Sequence, residues 1–252
     1  MLFLLRSATV AALLALVSVG NAAPLGATTN RLAAERAAAA KALAALPGSQ
    51  RLTVIWPPHH SRPTTIRNLD LAIPGKDLES RARSFLGRYP ALLQAAHATL
   101  RLAETRTANG LTVVRFAQLV GGVPVLDAVV AVAIDSRGHV TSVTDESEAI
   151  ELRQPQPVLT AQAAVEHAAR TVLRAAAGGG GGASLPPALR ATAARLVVLP
   201  GNPARLAYAL VLPLGIDPSG RIHLVNATDG RTIGWRRGVL LDGKHSGTGV
   251  TR

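Results

Sequence analysis

The chain of 252 residues contains no cysteine, which excludes disulfide bonds, zinc sites with cysteine ligands, thiol nucleophiles and iron–sulfur clusters. Aromatic residues make up only 3% of it, which argues against the stacking platforms that single-strand nucleic-acid binders use. Acidic residues are also scarce, since 15 Asp and Glu stand against 27 Lys and Arg, for a net charge of +12. Hydrophobic residues, by contrast, reach 48%, which is enough for a folded core.

Nearly all of the positive charge comes from arginine, because the only lysines are Lys41, Lys76 and Lys244. The arginines are spread along the whole chain, without a run of five or six. A nucleic-acid-binding region normally concentrates its basic residues in one run or on one face. We therefore expect a solvated arginine-rich surface and no nucleic-acid partner.

The N-terminal residues 1–23 have the pattern of a secretory signal peptide. Arg6 supplies the positive charge, Ala8–Val19 is an apolar run too short to span a bilayer comfortably, and small residues follow at Gly20, Ala22 and Ala23. An uncleaved anchor is the alternative, since the residues before Arg6 are apolar as well. The rest of the chain has no stretch of 18 apolar residues. We expect a secreted protein, extracellular or periplasmic, with no membrane partner after signal cleavage.

The remaining chain repeats one plan twice, a helix followed by a run of antiparallel strands, first at about residues 76–150 and again at about 158–237. This pattern predicts an α+β fold of two small domains, each with one helix packed on an antiparallel sheet. The predicted organisation is a signal peptide at 1–23, an Ala-rich helical segment at 24–49, a first domain at 50–152, a second domain at 155–237 and a flexible C-terminal segment at 238–252.

Turn residues mark the strands of the first domain. Asn109-Gly110 is a strong hairpin signal, and Gly121-Gly122 separates a second pair of strands, the later of which is predicted to run unbroken over Val123–Ile134. In the second domain, Thr160 is a good helix N-cap, and the glycine run Gly178–Gly182 predicts a flexible loop.

Catalytic patterns are missing from the sequence. Among the seven histidines only His59 and His60 are close together, and adjacent residues of an extended chain point to opposite sides. There is no H-E-x-x-H motif and no G-x-S-x-G motif. We therefore expect no enzymatic activity, no metal ion and no cofactor, and we interpret the chain as a protein that binds another molecule.

The segment V-R-F-A-Q at 114–118, followed by G-V-P-V at 122–125 and an alternating apolar strand that ends at Asp135, resembles the fungalysin/thermolysin propeptide domain. Two residues depart from the family's pattern, because Asp127 stands where the family often has Gly and Ala133 where it often has His. The family-motif residues, which the resemblance also implies as partner contacts, are Arg115, Phe116, Gln118, Gly122, Val123, Pro124 and Val125.

The second half resembles the PepSY domain that follows in such precursors, through L-A-Y-A-L at 206–210 and V-N-A-T-D-G at 225–230. The C-terminal residues resemble the junction at which the mature enzyme begins, and the implied processing residues are Lys244, Gly247, Thr248 and Gly249.

The resemblance implies a propeptide-like inhibitor and folding chaperone of a secreted thermolysin-like zinc metalloprotease, which would be the partner in cis or in trans. Two alternatives remain open: the N-terminal fragment of a metalloprotease precursor, and a free-standing secreted binding module. For the motif residues, the structural alternative is that Arg115 and Gln118 are only polar residues of a solvated sheet face and that Phe116 belongs to the core.

Overall fold

The computed structural model describes residues 25–152, 156–176 and 185–237. The predicted signal peptide, the glycine run and the C-terminal processing residues lie outside the described residues. Within the described ranges the chain forms three α-helices and ten β-strands. The helices and strands are α1 (Leu25–Ala44), β1 (Thr53–Ile55), β2 (Thr65–Ala72), α2 (Leu78–Arg88), β3 (Thr99–Ala108), β4 (Leu111–Val120), β5 (Val123–Asp135), β6 (His139–Asp145), α3 (Ala161–Ala176), β7 (Ala194–Leu199), β8 (Arg205–Val211), β9 (Ile222–Asn226) and β10 (Thr232–Arg236).

Local sequence signals account for where helices α2 and α3 begin. At α2, the Asp77 side chain accepts from the Ser80 N–H at 2.7 Å, and the Ser80 hydroxyl accepts from the Asp77 N–H at 3.0 Å. This reciprocal pair satisfies backbone donors that the first helical turn leaves free. At α3, the Thr160 hydroxyl accepts from the Ala163 N–H at 3.2 Å, so the predicted N-cap is confirmed.

The predicted hairpins are present. Both residues of Asn109-Gly110 have positive φ angles, 52° and 76°, and so do both residues of Gly121-Gly122, at 58° and 82°. Such two-residue turns match the twist of the strands they join. Strands β3, β4, β5 and β6 therefore form an antiparallel meander.

Strand β5 joins the two halves of the molecule. Its C-terminal part pairs with β6, which continues to β2 and β1, while its N-terminal part pairs in parallel with β7 through Val125 and Val198. The strands β7, β8, β9 and β10 then follow as antiparallel neighbours in a ten-stranded sheet. The mixed content and the mostly antiparallel pairing confirm the α+β class. The division into two domains stays a prediction.

Two hydrophobic cores lie along the same face of β5. Ala128 packs in a core with α3, whereas Val130 and Val132 pack in a core with α2. These three residues alternate along one strand, so they point to one side of the sheet. The tip of the β4–β5 hairpin, with Val120 and Val125, also belongs to the α3 core, so the two halves share this hairpin.

Strand β5 is less regular than the sequence predicts. Its register against β4 shifts between the pair Ala117–Val129 and the pair Leu119–Pro124, which leaves extra residues in β5 and bends the strand. Asp127 lies in this bend with a φ of 65° and forms an ion pair with Arg236 of β10. Glycine adopts a positive φ without strain. This explains why the family that the segment resembles often has glycine at the position of Asp127.

Replacement of Asp127 tests the strain at this bend. We expect Asp127→Ala to be less stable than Asp127→Gly by about 1 kcal/mol, because a Cβ is costly at positive φ unless a short polar side chain offsets it. Both variants lose the ion pair to Arg236, so their comparison isolates the backbone effect. Asp127→Asn, which tolerates this conformation without the charge, is the control. Urea denaturation provides the measurement, and equal stability of the Ala and Gly variants would contradict this account.

Candidate docking face

The strands of the first half have one face covered by α2 and one open face. On β4, Val114 and Phe116 are fully buried against the α2 core, and the residues between them point to the other side. The strand registers extend this second set to β3 and β5. We call this set the open face, and all its members except Ala133 are exposed or half-buried. It consists of Thr99, Arg101, Glu104, Arg106, Val113, Arg115, Ala117, Leu119, Val129, Ala131 and Ala133.

Arg115 lies at the centre of the open face. Its Nη1 is 3.8 Å from Oε2 of Glu104 on the neighbouring strand, and Oε1 of the same carboxylate is 3.5 Å from Nε of Arg106. The arginine side chains are 46% and 73% exposed, so water screens both contacts. Arg115 is therefore placed where a partner can reach it, and the contact with a partner stays a prediction.

Gln118 is in a different environment from the one expected for a partner contact. It is 4% exposed and points to the covered side of β4. Its Nε2 donates to the Glu148 carbonyl at 2.7 Å, and its Oε1 accepts from the Glu148 N–H at 2.8 Å. This buried amide thus ties the segment after β6 to β4. In this conformation Gln118 is a structural residue with no polar atom offered to a partner.

The other motif residues divide between core, turn and surface. Phe116 is fully buried and so cannot be a direct contact, and Val125, at 4% exposure, packs in the α3 core. Gly122 belongs to the hairpin turn with a positive φ, and Val123 is half-buried beside the α3 core. Pro124 is half-buried opposite Leu119, at the border of the open face. The structure thus brings only part of the motif to the open face.

Three charged residues of β3 lie on the open face although no sequence motif singles them out. They are Arg101, Glu104 and Arg106. Alternation alone could place residues of β3 on two faces, but a register shift between Leu102 and Glu104 changes which residues share a face. Glu104 can nevertheless be placed from the sequence. Counting back from the two-residue turn Asn109-Gly110 pairs Glu104 with Arg115 on the next strand.

The two polar motif residues differ in what their loss should cost. We expect Gln118→Met to destabilise the fold by about 1–3 kcal/mol, because it removes two hydrogen bonds from a buried site at similar volume. Arg115→Ala should change stability by less than about 0.5 kcal/mol, because an exposed ion pair contributes little. Urea denaturation of both variants gives the comparison. A stable Gln118→Met variant, or an unfolded Arg115→Ala variant, would contradict this assignment of roles.

A second polar cluster, at the start of β9, contains a serine, an aspartate and a histidine. The Ser219 hydroxyl donates to Oδ1 of Asp217 at 2.5 Å, and Nε2 of His223 lies 2.7 Å from Oδ2 of the same carboxylate. Burial opposes ionisation of Asp217, but the bonds from Ser219 and His223, with nearby Arg221, hold the pKa of its carboxyl well below the usual range. Serine and histidine both bind the carboxylate rather than each other, so this is not the arrangement that activates a nucleophile.

Two further findings concern other classes of function. In the part of the chain that the structure describes, no group of three His, Asp or Glu side chains is placed to hold a metal ion. Among the described residues, no helix is both long and apolar enough to cross a bilayer.

Comparison with known proteins identifies one family match. Residues 98–147 match the model of the Fungalysin/Thermolysin Propeptide Motif, and this segment covers β3, β4, β5 and β6. No curated protein is found to match the chain. Among solved structures, the Bacillus megaterium YpeB C-terminal domain is similar over 73% of this chain and 75% of that chain, with 14% identity and a TM-score of 0.37. The motif match supports a role of the kind that protease propeptides have.

Proposed function

We propose that this protein is a propeptide-like inhibitor and folding chaperone of a secreted thermolysin-like zinc metalloprotease. The observation that carries the proposal is the coincidence of two features. The segment that matches the propeptide motif, residues 98–147, contains the strands that form the open face. The partner of this face would be the protease domain, supplied in cis or in trans.

The open face has the shape that such binding needs. Ala117 and Ala131 lie beside Arg115 near its centre, and their small side chains let a partner approach the sheet closely. Leu119 and Val129 add apolar contacts around them. A standard protein–protein interface buries about 800 Å² and about 20–30 residues per partner, so the residues of the open face would form the centre of such an interface and not the whole of it.

The remaining parts of the proposal come from the sequence. Export follows from the signal-peptide pattern of residues 1–23, and cleavage from the enzyme would occur near Lys244, Gly247, Thr248 and Gly249. The second half would act as a PepSY-like companion of the first. These statements concern the precursor, and they are proposals on which the docking face does not depend.

An inhibition assay tests the function directly. We expect the purified protein to slow peptide hydrolysis by thermolysin, and to raise the yield of active enzyme when thermolysin refolds from denaturant. Arg115→Ala should weaken the inhibition several-fold while the fold stays intact, because the side chain lies at the centre of the docking face. Arg88→Ala is the matched control, since Arg88 is an exposed arginine at the end of α2, on the covered side.

The outcomes separate the alternatives. If folded wild-type protein neither inhibits nor assists any member of a panel of thermolysin-like enzymes, the proposal fails and a free-standing binding module takes its place. If the Arg115→Ala and wild-type proteins inhibit equally, the contact with the protease lies outside the open face. Gel electrophoresis of each reaction must show that the protein stays intact. A protein that thermolysin simply digests would compete with the peptide substrate and would look like an inhibitor.

A further inference from the structure

The open face carries more positive than negative charge. Arg101, Arg106 and Arg115 project from β3 and β4, and Glu104 is the one carboxylate among the residues that define this face. Asp135, opposite Leu111 on the same side of the sheet, already pairs with Arg137 and so does not offset these charges. Arg67 of β2 extends the same side of the sheet, since it pairs with Ser142, which in turn pairs with Ala133. Among the described residues, no carboxylate lies within ion-pair distance of Arg67 or Arg101.

Glu104 is shared between two of these arginines. Its two oxygens lie 3.5 Å from Arg106 and 3.8 Å from Arg115, and its side chain is 28% exposed, less than either arginine. One carboxylate cannot neutralise two guanidinium groups, so a net positive charge remains. The contacts are also long for ion pairs, which leaves both arginines able to bind other carboxylates.

We propose that the open face recognises a carboxylate-rich protein surface through Arg101, Arg106 and Arg115, and that Glu104 weakens this recognition by holding two of the three arginines. The inference rests on the proposed function, because it names the chemistry of the protease surface that the face would meet. Complementary charge mainly raises the rate of encounter and fixes the orientation of the partners.

The apolar residues between the arginines favour a protein over a nucleic acid. Val113, Ala117 and Leu119 form a row along β4, and Val129 lies beside it on β5. A protein partner buries such a row in a dry interface centre surrounded by charged residues. A nucleic acid presents phosphates to the arginines, but it would gain little from this row, and the face has no aromatic residue on which bases could stack.

Binding to a charged polymer tests this chemistry without the protease. The probe is a fluorescent random copolymer of glutamate and alanine, measured by anisotropy over a salt series, with a lysine–alanine copolymer and a DNA duplex for comparison. We expect binding of the acidic copolymer to weaken as salt rises. Arg101→Ala/Arg106→Ala should lower its affinity at least about threefold, and Glu104→Gln should raise it about as much.

A second pair of arginines controls for total charge. Arg88→Ala/Arg190→Ala removes the same number of charges from exposed sites away from the open face, and its affinity should stay close to wild type. If both double variants lose the same affinity for the acidic copolymer, binding depends only on the net charge of the protein and the inference is wrong. An unchanged affinity in Glu104→Gln, or tighter binding of DNA that depends on Arg101 and Arg106, would also overturn it.

The same variants distinguish this inference from the proposed function. If thermolysin is inhibited equally by wild type and by Arg101→Ala/Arg106→Ala, at low and high salt alike, the charge recognition is wrong while the inhibitor role stands. If the acidic copolymer binds as expected and no thermolysin-like enzyme is inhibited, the inhibitor role fails while the chemistry of the face stands.

Discussion

The structure depends on the pairing of one long strand, β5, with three neighbours. Its two ends pair with different strands, the C-terminal part with β6 and the N-terminal part with β7, while β4 runs beside it along nearly its whole length. Because the residues that face the two helices alternate along this single strand, α2 and α3 lie on one side of it. Among the residues that the structure describes, no helix covers the opposite side of the first half, and this is the face that we propose for partner binding.

Much of this arrangement could be predicted from local signals. Asn109-Gly110, Gly121-Gly122 and the N-cap Thr160 act over a few residues, so the sequence alone places them correctly. The bend at Asp127 could not be predicted in this way, because it follows from the register shift between β4 and β5, which no local signal sets. The resemblance marks Asp127 only as a departure from the family's usual glycine, and the apolar pattern of Val123–Ile134 predicts a strand without a bend.

The position of Gln118 shows a second limit. A polar residue in an alternating strand is expected on the solvated side, yet this one lies on the covered side because its amide satisfies both backbone groups of Glu148, thirty residues later in the chain. Arg101 shows the related limit, because it lies beyond the register shift between Leu102 and Glu104 and its neighbours cannot be counted from the Asn109-Gly110 turn. The motif residues therefore divide into two groups, because Phe116 and Gln118 build the sheet while Arg115 lies on the face that we propose for partner binding.

The central claim is that the open face of β3, β4 and β5 is the surface that meets a protease. Methyl NMR of the labelled protein, mixed with an inactive variant of a thermolysin-like metalloprotease, tests it most directly. The account predicts shifts or line broadening at Val113, Leu119 and Val129, with little change at Val165 and Leu173 of α3. Changes confined to α3, or no changes at saturating enzyme, would contradict it.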